Sequence, residues 1–357
     1  MKKIISVFLS LLILLSISLM PGCGKKYDGE VIVYNWGGPY MAEGSNGTKD
    51  LNKLFEEKYN IKVKYRTYDS NESMYAKLKN GGADYDVIIP SEYMVARLIE
   101  EGLVEKLNFD NIPLFETNIM DTFKNPDYDP TNEYSVPYSW GTVGIIYNKS
   151  IVKEEVKSWD ILWDEKYTDN ILMFNNSRDA FAVAQTMLGY SQNTTNKAEI
   201  KAAADKLSEQ KKVVQGYYMD EIYDKMINGD AALATYYAGD ALVMMQENED
   251  LAFAYPEEGT NRFVDAFCIP KGSKNKENAE KYINFLLEAE NALLNSEVTG
   301  YCTPNSAAYE LLDDETKNNK IMYPDEAYLK KCESYIHLPS DINTYVQDLW
   351  INIKTEG

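Results

Sequence analysis

The sequence predicts an α/β fold of two domains, each an open sheet with helices on its faces. Three observations predict it. Apolar strands alternate with amphipathic helices from Glu30 onward, the helices between strands are long enough for parallel crossovers, and the 335 residues left after an N-terminal leader exceed one ordinary core. In such sheets ligands bind beyond the carboxyl ends of the strands, which puts Trp36 and Ser91-Glu92-Tyr93 at the expected site.

The leader comes first. Lys2-Lys3 is a short positive segment, Ile4–Met20 an apolar run and Pro21-Gly22-Cys23 a small-residue exit, the pattern of a secretory signal over residues 1–22. The apolar run is short for a membrane span, which takes roughly 20 residues, and a Cys directly after Gly22 resembles a lipobox. Cys23 is therefore the expected lipidation site, with residues 23–29 as a linker, and two or more acyl chains would hold the protein at the outer face of the membrane. An uncleaved anchor with an incidental Cys23 is the alternative. Either way the bulk of the chain is expected outside the cytoplasm.

The elements follow in order. Glu30–Trp36 reads as a strand, and Thr48 can cap a helix whose Leu51, Leu54, Phe55 and Tyr59 share one face. Ile61–Thr67 is a second strand. Ser70 or Asn71 starts a helix with Met74, Tyr75 and Leu78 inside, stopped by Gly81-Gly82, and Tyr85–Ile89 is a buried strand ended by Pro90. Ser91 opens a helix through Met94, Val95, Leu98 and Ile99 that stops at Gly102. After the Pro- and Asp-rich loop Asn125–Asn132, strands are expected at Tyr134–Tyr147, Ile171–Phe174, Ala231–Tyr237 and Leu251–Tyr255, with a second domain starting near Gly141. Phe263–Ile269 and Lys276–Leu287 make one more strand and helix, and periodicity does not say which domain takes them.

Composition narrows the chemistry. Formal net charge is −20 over 357 residues, and −22 without Lys2 and Lys3, so the chain repels nucleic acid and attracts cations. His337 is the only histidine, and no Cys/His metal spacing, phosphate-cradling glycine loop or nucleophile elbow is present. A carboxylate pair could serve a glycosidase, but no spacing favours it. Cys268, Cys302 and Cys332 remain after Cys23; an odd set without paired spacing reads as buried thiols more readily than as a Cys302–Cys332 bridge. The positive signal is aromatic: Tyr occurs 28 times, and Trp36, Tyr93, Tyr237 and Phe263 fall at expected strand ends. Rings with a few carboxylates suit an extended organic cation, each cation over a ring gaining about 0.5–2 kcal/mol, while sugar rings compete for the same kind of wall.

At this point whole strings carry a resemblance. Val33-Tyr34-Asn35-Trp36, Asp69–Leu78, Tyr85–Tyr93, Tyr134–Gly144, Ser158–Trp163, Gly300–Asn305 and Asp348-Leu349-Trp350 are similar, in order, to the spermidine/putrescine-binding proteins of ABC importers. The resemblance implies a two-lobed, periplasmic-binding-protein-like fold of type II, two open α/β domains joined by hinge crossovers. It places 30–140 plus 264–309 in the first lobe and 141–263 plus 310–357 in the second.

The resemblance also implies a site. Trp36 matches the first wall residue of the family, Ser91 and Tyr93 match the Ser and Tyr after the third strand, and Tyr40 is not carried over because extra residues precede it. Asp179 matches a carboxylate that receives a terminal amine; Asn176 stands where spermidine binders often carry a second one. Tyr237 and Phe263 stand where Trp is usual, Asp240 matches an acid of the putrescine-type branch, and Asp265 matches the central acid. Tyr301 and Tyr335 complete the set. Structural roles compete for several: an N-cap for Ser91 and Asp240, a first-turn dipole partner for Asp179, an internal ion pair with Arg178 or Arg262 for Asp265. The expectation is a non-catalytic, lipid-anchored, monomeric polyamine receptor without cofactor or metal, delivering its ligand to an ABC permease. A receptor for another small solute, a sugar or amino-acid derivative, and a carboxylate-dependent hydrolase are the alternatives.

Overall fold

The computed structural model describes residues 26–38, 40–44, 47–81 and 84–355. The leader and Cys23 lie outside the described residues, and so does Gly82.

The strands are β1 (Gly29–Trp36), β2 (Ile61–Tyr68), β3 (Val87–Ile88), β4 (Ser135–Asn148), β5 (Ile171–Phe174), β6 (Val214–Tyr218), β7 (Leu233–Tyr237), β8 (Leu251–Ala254) and β9 (Arg262–Cys268). The helices of eight residues or more are α1 (Leu51–Tyr59), α2 (Asn71–Lys79), α3 (Glu92–Glu100), α4 (Ser177–Met187), α5 (Lys197–Gln210), α6 (Glu221–Asn228), α7 (Ala238–Glu247), α8 (Lys276–Leu286), α9 (Ala289–Thr299) and α10 (Ser340–Thr355). Most ends fall within two residues of the expected ones, with identifiable exceptions. Asp50, not Thr48, is the N-cap of α1, accepting the Lys53 N–H, whereas Ser70 caps α2 as expected. β3 is shorter than Tyr85–Ile89 because the ladder gives out before Pro90, whose carbonyl turns to accept the Ala266 N–H at 3.0 Å. β6 had no counterpart in the sequence reading, since Gln215 and Gly216 interrupt its apolar run.

The sheet order is β2-β1-β3-β9-β4-β7-β5-β6, with β8 also on β4. β1 runs parallel to β2 and β3, and β5 parallel to β6 and β7, as crossover helices require. The middle of the sheet departs from the parallel crossovers: β9 is antiparallel to β3 and β4, and β4 is antiparallel to β7 and β8. The reason lies in β4. Its first part, to Thr142, pairs with β9, and from Val143 onward it pairs with β7 and β8, so one strand of 14 residues carries the chain from one half of the sheet to the other while β9 brings it back.

Each half has its own core. Val31, Leu51, Phe55, Val87, Phe267 and Tyr282 belong to one apolar cluster, and Ile146, Trp159, Leu172, Phe181, Leu207 and Trp350 to another. At about 25 cal/mol per Å² of apolar surface, fully burying one such side chain contributes about 1.5–3 kcal/mol, which is what keeps each half folded as a body. The strand and helix that periodicity could not assign join the first half: β9 pairs with β3, and Tyr282 of α8 packs edge-on to Phe55 of α1 at 5.1 Å. Met322, Tyr323 and Leu329 also pack against this first cluster, although the expected boundary at 310 gives them to the second lobe. Cys268, Cys302 and Cys332 are free thiols.

Gly144 lies where β4 changes hands. A Cβ there would fall 2.2 Å from the Phe253 ring and 2.8 Å from the Ala254 carbonyl oxygen of β8, so Gly144→Ala is expected to cost about 1–3 kcal/mol and to lower the urea midpoint; an unchanged midpoint would show that β8 can retreat freely.

Candidate functional site

A cavity of about 240 Å³ opens between the two halves, and all ten residues expected at a site line it. Each arrives from the end of an element. Trp36 closes β1; Ser91 and Tyr93 stand at the start of α3; Asp179 and Asp240 occupy the first turns of α4 and α7; Tyr237 ends β7; Phe263 and Asp265 lie on β9; Tyr301 follows the C-cap of α9, and Tyr335 precedes α10. The strand-end rule explains the gathering, since β1, β3 and β7 all point their carboxyl ends here.

The charge balance of the lining is one-sided. Of 22 lining residues six are aspartates, Asp69, Asp179, Asp220, Asp224, Asp240 and Asp265, nine are aromatic, and none is Lys, Arg or His. Asp265 is buried on β9, and the ion pair weighed from sequence does not form: Arg178 lies over the Tyr335 ring, and Arg262 over Phe123 and Trp140. Its partner is the Tyr40 hydroxyl, which donates to Oδ2 while Ser139 stands 2.6 Å from the same phenol oxygen. Oδ1 is buried without a hydrogen-bond partner. Burial therefore pushes the Asp265 carboxyl up to about 7, with the Tyr40 and Ser91 hydroxyls pulling it back only in part.

Asp240 behaves similarly. Tyr301 donates to its Oδ2 at 2.9 Å, and burial holds the carboxyl at about 7. Asp179 is better satisfied: Tyr237 and Asn176 donate to Oδ2 at 2.8 and 3.0 Å and Tyr335 donates to Oδ1 at 2.8 Å, yet burial still raises it. The N-terminal dipoles of α4 and α7 favour both charges. Neither structural role weighed for Ser91 and Asp240 as caps is realised. Ser91 occupies the N-cap position of α3 but makes no cap bond, its oxygen accepting instead from Asn71 Nδ2 at 3.1 Å, and the N-cap of α7 is Tyr237.

The rings form a connected wall. Tyr40 meets Tyr301 edge-on at 4.9 Å, Tyr301 meets Phe263 at 6.0 Å, Phe263 meets Tyr237 at 5.7 Å, and on the other flank Tyr93 meets Tyr335 at 5.9 Å. Sequence reasoning missed Tyr40, which holds the central acid, and the outer acids Asp69, Asp220 and Asp224. Asp69 opens one of the matched strings, but Asp220 and Asp224 flank the start of α6, where acids read as ordinary first-turn residues.

Comparison with known proteins decides the family. The sequence family described as bacterial extracellular solute-binding protein matches residues 51–324. The chain belongs to that family. Among relatives of this solute-binding protein, the spermidine/putrescine-binding periplasmic proteins of Salmonella typhimurium and Escherichia coli are each 38% identical over 303 residues, 84% of either chain. A solved spermidine/putrescine ABC transporter substrate-binding protein of Streptococcus pneumoniae superposes with a TM-score of 0.78 at 38% identity, covering 92% of this chain and 99% of that one. A lipoprotein of Treponema pallidum gives 0.79 at 29%, over 91% and 99%. The two-lobed type II fold is thereby established.

Two glycines let this solute-binding protein bring its wall so close to its acids. A Cβ on Gly239 would lie 2.8 Å from the Tyr301 ring, and Gly300, at φ +73°, approaches the Gly239 carbonyl so closely that a Cβ would fall 2.5 Å from its oxygen. That contact seats the Tyr301 hydroxyl on Asp240.

The buried acids imply a stability profile for the empty protein. An Asp whose folded pKa is about 7 against an unfolded value near 3.9 has no net effect below about pH 4, destabilises progressively between about pH 4 and 7, and does so fully above. Asp265→Asn and Asp240→Asn are therefore expected to raise the melting temperature of the empty protein by several degrees at pH 8 and hardly at all at pH 4. Equal gains at both pH values would show that burial of charge is not the cause.

Proposed function

We propose that this solute-binding protein binds a polyamine, spermidine and/or putrescine, in the cavity between its lobes and passes it to an ABC permease. One observation carries the reading: six aspartates and nine rings line the cavity, with no cationic side chain among the lining residues. A chain of methylenes ending in ammonium groups complements that lining. Asp179, Asp240 and Asp265 pair with ammonium groups, the open oxygen of Asp265 receiving the bond it lacks, while Trp36, Tyr93, Tyr237, Phe263 and Tyr301 flank the methylenes and Ser91 offers its hydroxyl oxygen. An ammonium held without water gains far more from each carboxylate than it would in solvent. A ligand bearing a carboxylate of its own, such as an amino acid, meets six aspartates and no counter-charge, which disfavours it. The relatives named as spermidine/putrescine-binding proteins agree with a polyamine.

The rest of the reading is non-catalytic. The polar groups facing the cavity are carboxylates, phenols, amides and one aliphatic hydroxyl, a set suited to holding a cation, and no cofactor is invoked. The lobes are taken as 30–140 plus 264–309 and 141–263 plus 310–357, supported by the change of β4 partners after Thr142; the packing of Met322 and Leu329 argues for a later crossing than 310. Lipidation of Cys23 is proposed for a monomer held outside the cell membrane, an assignment supported by the leader sequence and by the relative described as a lipoprotein. Among the described residues no helix is long and apolar enough to cross a membrane.

Isothermal titration of the chain begun after Cys23, against putrescine, spermidine, spermine, maltose and glutamate in one buffer, tests the reading. One-to-one heat with a polyamine and silence with maltose and glutamate is the expected result; binding of maltose alone would replace the polyamine by a sugar. Asp265→Ala is expected to weaken polyamine binding by about 2–5 kcal/mol with the fold intact, and unchanged affinity would remove Asp265 from the site. Because Asp240 and Asp265 must give up protons to pair with ammonium groups, affinity should rise with pH up to about 7, by at most about tenfold per pH unit for each proton released, and flatten above. An affinity constant from pH 5 to 8 would mean that both carboxyls are already charged in the empty protein.

A further inference from the structure

Glu92 is the second residue of the Ser91-Glu92-Tyr93 string, is buried, and does not line the cavity. A buried carboxylate without a cation needs another account. Its two oxygens are both used: Oε2 accepts the backbone N–H of Val264 at 2.9 Å and Oε1 accepts the backbone N–H of Tyr335 at 3.0 Å. Val264 lies between the wall residue Phe263 and the central acid Asp265, and Tyr335 donates its hydroxyl to Asp179. One side chain at the start of α3 therefore grips the backbone at two cavity-lining segments of different origin.

Among the described residues Glu92 is the acceptor found for the Tyr335 N–H. The rest of the segment from Glu333 to Ile336 is held by other contacts: the Glu333 carbonyl accepts the Arg262 N–H at 2.9 Å and the Glu333 N–H donates to the Thr260 carbonyl at 3.0 Å, Asn193 donates to the Ser334 carbonyl at 2.8 Å and accepts the Ile336 N–H at 3.0 Å, Ser334 donates to the Arg262 carbonyl, and the Arg178 guanidinium stacks on the Tyr335 ring at 4.5 Å. Those contacts leave the Tyr335 N–H facing α3, where Glu92 meets it. The edge-on contact of Tyr93 with the same ring, 5.9 Å between centroids, fixes the ring but not the height of the backbone. Height matters because the phenol oxygen must reach Asp179 Oδ1 at the end of a rigid ring.

We propose that Glu92 is a positioning residue for the ligand site, clamping the Tyr335 backbone against α3 so that the Tyr335 hydroxyl stays on Asp179. It touches no ligand. Its effect on affinity passes through Tyr335, so the two side chains must be coupled in a way that a general packing role does not demand.

The test is a double-mutant cycle with Glu92→Gln, Tyr335→Phe and the pair, read by calorimetry with spermidine and putrescine and by melting temperature. A Gln amide presents an NH₂ to one of the two backbone N–H groups, so at least one bond is lost at constant shape. Glu92→Gln is expected to weaken binding by about tenfold in the parent protein and by less than about twofold when Phe already replaces Tyr335. Equal weakening in both backgrounds, or none in either, overturns the proposal. Amide exchange of the unsubstituted protein gives a second reading that needs neither a stable variant nor a polyamine. The Tyr335 N–H should be protected as strongly as those of β9, and exchange at the rate of an exposed loop overturns the clamp. The choice of probe alone rests on the polyamine reading, and absence of heat with every polyamine in the parent protein would sink that reading while leaving the exchange result to judge the clamp.

Discussion

Carboxylates taken out of water without a cation are the constraint around which this molecule is arranged. Asp240 and Asp265 sit in burial that holds both near 7, far above an exposed aspartate, and Asp265 keeps one oxygen without a donor. Placing acids this way costs stability, and protein interiors tolerate it only where something returns the cost. The donors the protein supplies are uncharged, phenol hydroxyls from Tyr40, Tyr237, Tyr301 and Tyr335 and the Asn176 amide, which steady each acid without neutralising it. An arginine at the same distance would have satisfied the acid and closed the site. Arg178 and Arg262 are both near, and both are turned away onto aromatic faces.

The same phenols do double duty as hydrogen-bond donors and as wall rings. A ring that donates its hydroxyl to an acid must lie beside that acid, so the wall and the hydrogen-bond set are one structure. Tyr301 shows the logic: its ring lies on Gly239, its edge meets Tyr40 and Phe263, and its oxygen ends on Asp240. A Trp at such a position offers a larger face but only an N–H, and Trp36, which stands there without a phenol, has a buried Nε1 that finds no partner.

Much of this was legible before any coordinates. Strand ends are readable because β-rich apolar runs stop at Pro90 or at polar turns, and the strand-end rule then gathers Trp36, Ser91, Tyr93 and Tyr237 without knowledge of the pairing. The remaining site residues came from the family resemblance, and their meeting in one cavity depends on contacts hundreds of residues apart, such as Tyr40 with Asp265, that no local pattern encodes. What stayed hidden has physical reasons. The antiparallel middle of the sheet follows from β4 passing between halves, and a strand buried throughout looks alike whichever way its neighbours run. Glu92 falls in the string expected at the site, but its task was hidden because a Glu in the first turn of a helix reads as a dipole partner, and only its two backbone donors reveal a different one.

Those donors also explain why the hinge region can be both crowded and exact in its placement of side chains. β4 and β9 carry the chain between halves as paired strands, and a ladder resists sliding but permits twist. The Tyr335 segment is already tied to the start of β9, the Arg262 N–H donating to the Glu333 carbonyl at 2.9 Å and the Ser334 hydroxyl donating to the Arg262 carbonyl, and both supply residues to one cavity. The Glu92 side chain adds a tie from α3 to both, at the Val264 and Tyr335 N–H groups. The Glu92 bonds run to backbone N–H groups, so they draw on none of the cavity's aspartates, whose charge stays free for a cation from outside.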